Sequence, residues 1–511
     1  MAKLGARAAD AMFWNLVGKT AFMVVKYAES IVLVRLLGGD DYGALSGLLN
    51  LNAMVVLFAA LGLENTLLRF LPEAIARGGA AAEKKLVAQS SLIRLAVSAL
   101  AGALLWILAR PLAGLIVHNP EQAYLVKIVA LMVIGLGFQN LMSRVLVARY
   151  EQRFINLIQA GLTAAYVALA ALVVYLGGGV AGVLWCLTAL YAITLLLFVY
   201  RLRRPNAMAG EIREPAAPIS AGRLLRFSGY LYLYSVLHFA FEKGMDVLLL
   251  GALRDELIEV TWYVLAYNFA YFAVNFFSAA FSEGFTLAMI GEVVAQGDTQ
   301  KLRAIFGVFM EYLYIFIFPI VIGGIIVGPD LMRLMYGQVA EGSIAPMIIL
   351  FIGLAVSKMG GITANFLQGL DQEKALVKAR LLFASVNLVL DLILIPFLGA
   401  VGPAIGTSVA VICGIAYEWR IVHRLIQPVY PWRFLAKTLG ASLVMGFVVW
   451  WAGQHIHWHQ LLRLPFLVLL GLVVFAVILV PLRPFRKQHA ELLGTLPLPW
   501  KHVWLKWLTP K

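Results

Sequence analysis

Lys19, Lys26 and Glu29 stand seven and three residues apart inside a proline-free, mostly apolar stretch, Phe13 to Leu37. Steps of seven and three return to nearly the same face of a helix, so the three charges share one stripe, which Asn15 and Ser30 extend. A helix of about 25 residues spans a bilayer core of roughly 30 Å. A charge at mid-bilayer costs several kcal/mol unless it faces protein or water, so this helix is expected to line a cavity. The two lysines, about 10 Å apart along the axis, offer compact point charges to an anion at successive depths. Glu29, one turn beyond Lys26, is placed to pair with it. A purely structural internal ion pair is the alternative.

Other polar residues fall inside apolar runs. Glu242 and Asp246, four residues apart, share one face of a later span, close to His238 and Lys243. Glu64, Glu283 and Glu311 are candidates for gating, for coupling to H+ or Na+, or for plain interhelical pairing. Arg144, one turn from Asn140, and Lys358, with no acid in its own helix, are candidate anion contacts. Arg69 and Arg94 lie toward span ends, where long side chains snorkel, and Asp391 reads as helix packing. Asn268 and Asn275 lie seven residues apart on one face with Tyr271 between them and Tyr267 nearby. Asn amides bond hydroxyls and aromatic faces pack on sugar C–H surfaces, which suits a glycan; aromatic packing in lipid is the alternative.

The surrounding chain has to hold these residues in a membrane. It has 511 residues, 62% of them hydrophobic and only 13% charged. Mean hydropathy is +0.87. Many apolar runs exceed the length of a membrane span, so the fold class is an all-α polytopic membrane protein. The net charge of +14 is better read as loop asymmetry than as a nucleic-acid footprint. The N-terminus shows no small-residue cleavage site after a short apolar core, so no cleaved signal peptide is expected. Cys186 and Cys413 both fall in apolar runs and indicate neither a disulfide framework nor a metal site.

Fourteen spans are expected: 13–37, 43–71, 88–117, 122–148, 154–177, 180–202, 226–251, 260–290, 303–328, 343–368, 377–398, 401–424, 435–453 and 461–482. With a cytoplasmic N-terminus, nearly all loop Lys and Arg fall on the inside segments, which places both termini inside. The organisation is an N-terminal six-helix lobe over 1–202, a basic cytoplasmic linker over 203–222 and a C-terminal six-helix lobe over 223–425. Two further helices follow over 426–482, then a cytoplasmic or interfacial tail over 483–511. The lobes repeat at an offset of 220 residues, with Gln152 falling on Gln372, Gly179 on Gly399 and Gly182 on Gly402. An even number of spans per repeat gives both copies the same orientation, related by a pseudo-twofold axis along the membrane normal with a cavity between them. The same offset sets Lys26 against Asp246, as a gate pair, a cation site or a brace between lobes.

Several stretches resemble the polysaccharide-transport (O-antigen flippase) family of the multidrug/oligosaccharidyl-lipid/polysaccharide superfamily. One is LVRLLGGDDYGALSGLLNLNAMVVLFAALGLENTLLRFLPE, 33–73. Others are DVLLLGAL, 246–253, with WYVLAYN, 262–268, and LMRLMYG, 331–337. The most telling is LQGLDQEKALVKARLLFASVNLVLDLILIPFLGAVGPAIGTSVA, 367–410. None is a catalytic motif; their specificity lies in order and spacing. The resemblance implies a transporter, not an enzyme, that moves polyprenyl-diphosphate-linked oligosaccharide from the cytoplasmic to the periplasmic leaflet of a bacterial inner membrane by alternating access. It implies fourteen helices in two lobes. It supplies an anionic diphosphate for Lys19 and Lys26. The partners implied are the lipid-linked glycan, membrane lipids, H+ or Na+, and polysaccharide polymerase or assembly proteins. No cofactor is implied.

Three further features lead elsewhere. Gly18-Lys19-Thr20 resembles the end of a phosphate-binding loop, but Phe13 occupies the place of the first glycine and no strand precedes it. His455, His457 and His459 read as an exposed polar turn rather than a metal site. Trp500, Trp504 and Trp507 share a face beside Lys501 and Lys506, as in a helix lying on the inner leaflet. A multidrug cation antiporter of the same superfamily is the first alternative, yet its site should be acidic and aromatic where the first helix here is basic. A membrane glycan polymerase, ligase or glycosyltransferase is the second, but the outer loops are short.

Overall fold

The computed structural model describes residues 24–149, 151–204, 232, 243–278, 290, 293–294 and 297–482. These residues form helices and the turns that join them. In lipid every backbone N–H and C=O must be paired internally, and the helix does this within one segment. Eleven segments among the described residues are long and apolar enough to cross a membrane. One of them, Thr299–Gly369, contains two helices joined by a 3-10 turn. The chain divides into two compact units, 1–264 and 265–511. All but the first two residues of the linker 203–222, and the whole tail 483–511, lie outside the described residues.

The first unit opens with α1 over residues 24–37, then α2 (Gly39–Phe58). A single span was expected over 43–71, and the chain instead breaks at 59–62. Leu61 and Gly62 both take positive φ, 47° and 72°, a conformation that glycine adopts without steric cost. A long helix α3 (Leu63–Ile107) follows and kinks at Gly79, where φ is 61° and ψ −154°. Beyond it run α4 (Ala109–Ile116), α5 (Ala123–Ala148), α6 (Gln152–Tyr175), α7 (Gly179–Leu202) and α8 (Gly244–Leu253). Helix α9 (Leu257–Ser278) crosses the boundary between the units.

A core of Leu67, Leu71, Leu141, Leu146, Ile155 and Phe198 joins α3, α5, α6 and α7. At their common end Arg149 binds Glu83 at 2.7 Å, and Arg201 binds Glu151 at 2.5 Å. Large apolar side chains such as Leu100, Leu104 and Ile107 of α3 stay exposed, as a lipid-facing surface requires.

The RLLGGDDYG stretch proves to be a helix junction. Asp40 Oδ1 accepts from the Ile258 backbone N–H at 3.0 Å, capping the first turn of α9. Thr261 donates to the Gly39 carbonyl at 2.6 Å. A Cβ on Gly43 would sit 2.0 Å from the Leu257 carbonyl oxygen, so only glycine allows this crossing. Nearby, in the turn between α8 and α9, Arg254 donates to Glu259 at 2.6 Å, and that hydrogen bond lifts the guanidinium pKa above its ordinary value.

The second unit contains α10 (Thr299–Tyr336), α11 (Ile344–Gly369), α12 (Glu373–Leu398), α13 (Val401–Ile426), α14 (Trp432–His455) and α15 (Gln460–Leu482). The α12–α13 hairpin is tight because Gly402 lies against the backbone of Leu394 and Ile395, where a Cβ would meet Ile395 N at 2.8 Å. Its turn residue Gly399 has φ 53°, and Gly179, its counterpart at the 220-residue offset, has the same value. Gly182, the counterpart of Gly402, is likewise closed in, by Val173 at 2.4 Å. Helices α14 and α15 pack on α10 through Val327, Met445, Val449, Leu464 and Leu467.

Candidate functional site

Each unit carries a polar cluster among its helices. In the first, Lys26 Nζ lies 2.7 Å from Glu29 Oε2 on the next turn of α1. The other Glu29 oxygen accepts from the Tyr166 hydroxyl of α6 at 3.2 Å. Tyr191 of α7 stands within electrostatic reach of the carboxylate, and Tyr42 of α2 within reach of Tyr166. Glu29 and Tyr166 are buried, whereas the Lys26 side chain is 42% exposed. The ammonium also faces the Tyr166 ring, 5.9 Å from its centroid. The geometry therefore fixes the acid and leaves the base accessible: Glu29 is held from two helices and aims a partly uncovered ammonium. An ammonium has three donors, so Lys26 keeps hydrogen-bonding capacity while paired.

Elsewhere in the same unit, Arg94 of α3 is fully buried. Its Nη2 lies 3.5 Å from Glu64, across the Gly79 kink, and donates to the Val56 carbonyl at 3.2 Å. Gly137 of α5 makes room for the guanidinium, since a Cβ there would lie 2.8 Å from Arg94 Nε. Arg144 is exposed and is the second cation acting on Glu64. The Tyr263 hydroxyl donates to Asp246, which is buried. The ion pair of Lys26 is thus with Glu29, on its own helix, and Asp246 is met by a tyrosine.

In the second unit the Lys358 ammonium of α11 donates to Asn275 Oδ1 of α9. The Asn275 amide donates in turn to the Tyr271 carbonyl at 2.8 Å. Tyr271 is exposed and stacks on Tyr267, with ring centroids 5.6 Å apart and planes 16° apart. Asn268 lies on the same helix, half-buried. A lysine, an amide and the exposed Tyr271 therefore lie close together, although the lysine and the amide come from different spans. Glu311 of α10 is fully buried. Lys19, Glu242, Glu283 and His238 lie outside the described residues.

Sequence reasoning missed three participants. Tyr166 contacts Glu29 across 137 positions, and no local spacing signals it. Arg94 reads as a residue near a span end but is wholly enclosed. Glu418 of α13 is buried with Thr363 of α11. A lone acid inside an apolar span was the available signal for it. Among the described residues, no group of three His, Cys, Asp or Glu side chains is placed to hold a metal ion.

Residues 32–344 match the model of a family described as polysaccharide biosynthesis protein. The chain belongs to this polysaccharide biosynthesis family. Residues 256–470 also match the model of the lipid II flippase MurJ. Among curated proteins, the family member is 19% identical to the probable low-salt glycan biosynthesis flippase Agl15 of Haloferax volcanii, over 55% of this chain and 59% of that protein. It is 22% identical to the probable flippase AglR of the same organism, over 39% of this chain and 43% of that one. The chain thus spans about half the length of the curated relatives it matches.

Among solved structures, it resembles the lipid II flippase MurJ in an inward closed conformation, with TM-score 0.71 and 14% identity over 90% of this chain and 97% of that one. It also resembles an inward-facing multidrug resistance MATE family transporter, with TM-score 0.59 and 16% identity over 79% and 96% of the two chains. These likenesses show a shared fold. The polysaccharide biosynthesis protein is therefore a multi-pass membrane protein.

Proposed function

We propose that this chain is a flippase that carries a polyprenyl-diphosphate-linked oligosaccharide from the cytoplasmic to the periplasmic leaflet of a bacterial inner membrane, for surface polysaccharide such as O-antigen or exopolysaccharide. The observation that carries the reading is the accessible Lys26 ammonium, held by a carboxylate that Tyr166 of the membrane-spanning helix α6 anchors. A lysine there requires water or an anion, and a diphosphate head group supplies the anion. The probable flippases among the relatives, and the fold shared with a lipid II flippase, support a lipid-linked substrate.

In this reading the diphosphate is held by Lys19 and Lys26, with Arg144 at the entry. The glycan lies on Lys358, Asn275, Asn268 and Tyr271, whose amides and aromatic faces suit sugar hydroxyls and C–H surfaces. The polyprenyl tail stays in lipid. Glu29 is the resting partner of Lys26, which the diphosphate displaces. Fourteen helices, both termini cytoplasmic, and alternating access driven by membrane potential or by H+ or Na+ complete the reading. Glu64, Glu242, Asp246, Glu283 and Glu311 are its gate or coupling candidates.

The test is a cell lacking the native gene and carrying Lys19→Ala with Lys26→Ala. Surface polysaccharide should be lost while the protein stays in the membrane and lipid-linked oligosaccharide accumulates on the cytoplasmic face. Normal glycan output from that variant removes the basic stripe from the mechanism. The fold is shared with multidrug transporters, so drug extrusion is the second reading; increased drug sensitivity on deletion, with unchanged glycan, selects it.

A further inference from the structure

Glu418 lies within α13, 2% exposed, and Thr363 lies within α11, fully buried. Thr363 Oγ1 is 2.6 Å from Glu418 Oε2, 3.1 Å from the Gly360 carbonyl oxygen and 3.3 Å from that of Met359. A hydroxyl has one proton to donate and two lone pairs to accept with, so three acceptors compete for one donor. No ion pair within 4 Å holds Glu418 among the described residues. From α12 the charged group acting on it is Arg380. From α11 it meets the Thr363 hydroxyl.

Two hydrogen-bond arrangements fit these same heavy-atom positions. With Glu418 ionised, the Thr363 proton goes to the carboxylate as a charge-assisted bond. The Gly360 and Met359 carbonyls then keep only their helical partners. With a proton on Glu418, the carboxyl O–H donates to Thr363 Oγ1, and the hydroxyl turns to donate to the Gly360 carbonyl. Every donor then has an acceptor and the buried charge is gone, which matters where an isolated carboxylate is costly. The carboxylate lies beside Gly360 of α11, where a Cβ would be in ordinary contact with Glu418 Oε2 at 3.8 Å.

We propose that Glu418 is a proton-binding site in the second unit, with the Thr363 hydroxyl as its switch. One proton enters from water, the hydroxyl rotates, and the α11–α13 contact changes from a charge-assisted hydrogen bond to a neutral one. Helix α11 also carries Lys358, so the switch acts on the helix that holds the lysine–asparagine surface. Its use in driving translocation rests on the flippase reading; the protonation itself does not.

The test is an infrared pH titration of the full chain in lipid nanodiscs, comparing the wild type with Glu418→Gln, Thr363→Val and Thr363→Ser. The wild type should show a protonated-carboxyl C=O band that vanishes as pH rises. Glu418→Gln should lack it, Thr363→Val should move it to higher wavenumber, and Thr363→Ser should return it. A wild-type titration without such a band, or a band retained in Glu418→Gln, overturns the proposal. If Glu418→Gln fails to assemble, the band position in Thr363→Val decides, and an unmoved band is contradictory. A band that behaves as expected in a chain that flips no glycan keeps the proton site and removes the flippase reading.

Discussion

The Tyr166 hydroxyl of α6 donates to Glu29 of α1 at 3.2 Å, and the opposite oxygen of that carboxylate holds Lys26 at 2.7 Å. The acid is thus the fixed member of the pair and the base the movable one. The flippase reading uses this polarity: the accessible ammonium is the group it offers to substrate.

Removing the anchor should be milder than removing the base. Tyr166→Phe deletes one hydrogen bond to a charged group, worth about 1.5–3 kcal/mol. The variant should reach the membrane, melt at a lower temperature in detergent and keep partial glycan export. Glu29→Gln keeps the shape but frees Lys26, so binding of the diphosphate lipid should tighten while turnover falls. Equal affinity in Glu29→Gln and the wild type, measured on nanodisc-embedded protein, would show that Glu29 does not compete with substrate.

The buried Arg94–Glu64 pair predicts strong asymmetry between single and double substitutions. Arg94→Met strands a mostly enclosed carboxylate and should cost about 3–5 kcal/mol, whereas Arg94→Met with Glu64→Leu should recover much of it. Thermal unfolding in detergent reads both. A double variant no more stable than Arg94→Met would mean that the pair is not coupled.

Glycines give a sharper structural contrast. Gly43→Ala drives a methyl to 2.0 Å from the Leu257 carbonyl and should abolish assembly of the α2–α9 crossing. Gly161 and Gly440 have open space where a Cβ would go. Alanine at either should be neutral or stabilising by about 0.5–1 kcal/mol. Yield of folded protein in the membrane separates these outcomes.

In the second unit, Lys358 and Asn275 should behave as one group. Lys358→Ala and Asn275→Ala should each lower glycan export, and the double variant should be little worse than the stronger single one, because contacting residues are non-additive. Additive losses would place the two in separate roles.

The membrane class and the family were legible in the sequence, because hydropathy and the order and spacing of the motifs depend only on order along the chain. The 33–73 motif marked the right stretch but hid its reason, which is the approach of Leu257 and Ile258 to Gly43 and Asp40. The break at 59–62 was invisible because Ala, Ala and Leu continue the apolar run and only Gly62 marks the turn. The α1 stripe pointed to Lys26 and Glu29, but helical periodicity carries no information about which distant tyrosine meets the carboxylate. The i,i+3 spacing offered Glu29 as a partner of Lys26 and the repeat offset offered Asp246; in the structure Lys26 lies 2.7 Å from Glu29, a contact that one helical turn makes without a partner helix.

The most direct test is translocation of a fluorescent polyprenyl-diphosphate oligosaccharide in proteoliposomes containing the wild type or Lys26→Ala. The wild type should move the lipid between leaflets, and Lys26→Ala should slow the initial rate at least about tenfold, equivalent to about 1.4 kcal/mol. Translocation by the wild type no faster than in protein-free vesicles, or an unchanged rate in Lys26→Ala, would contradict the account.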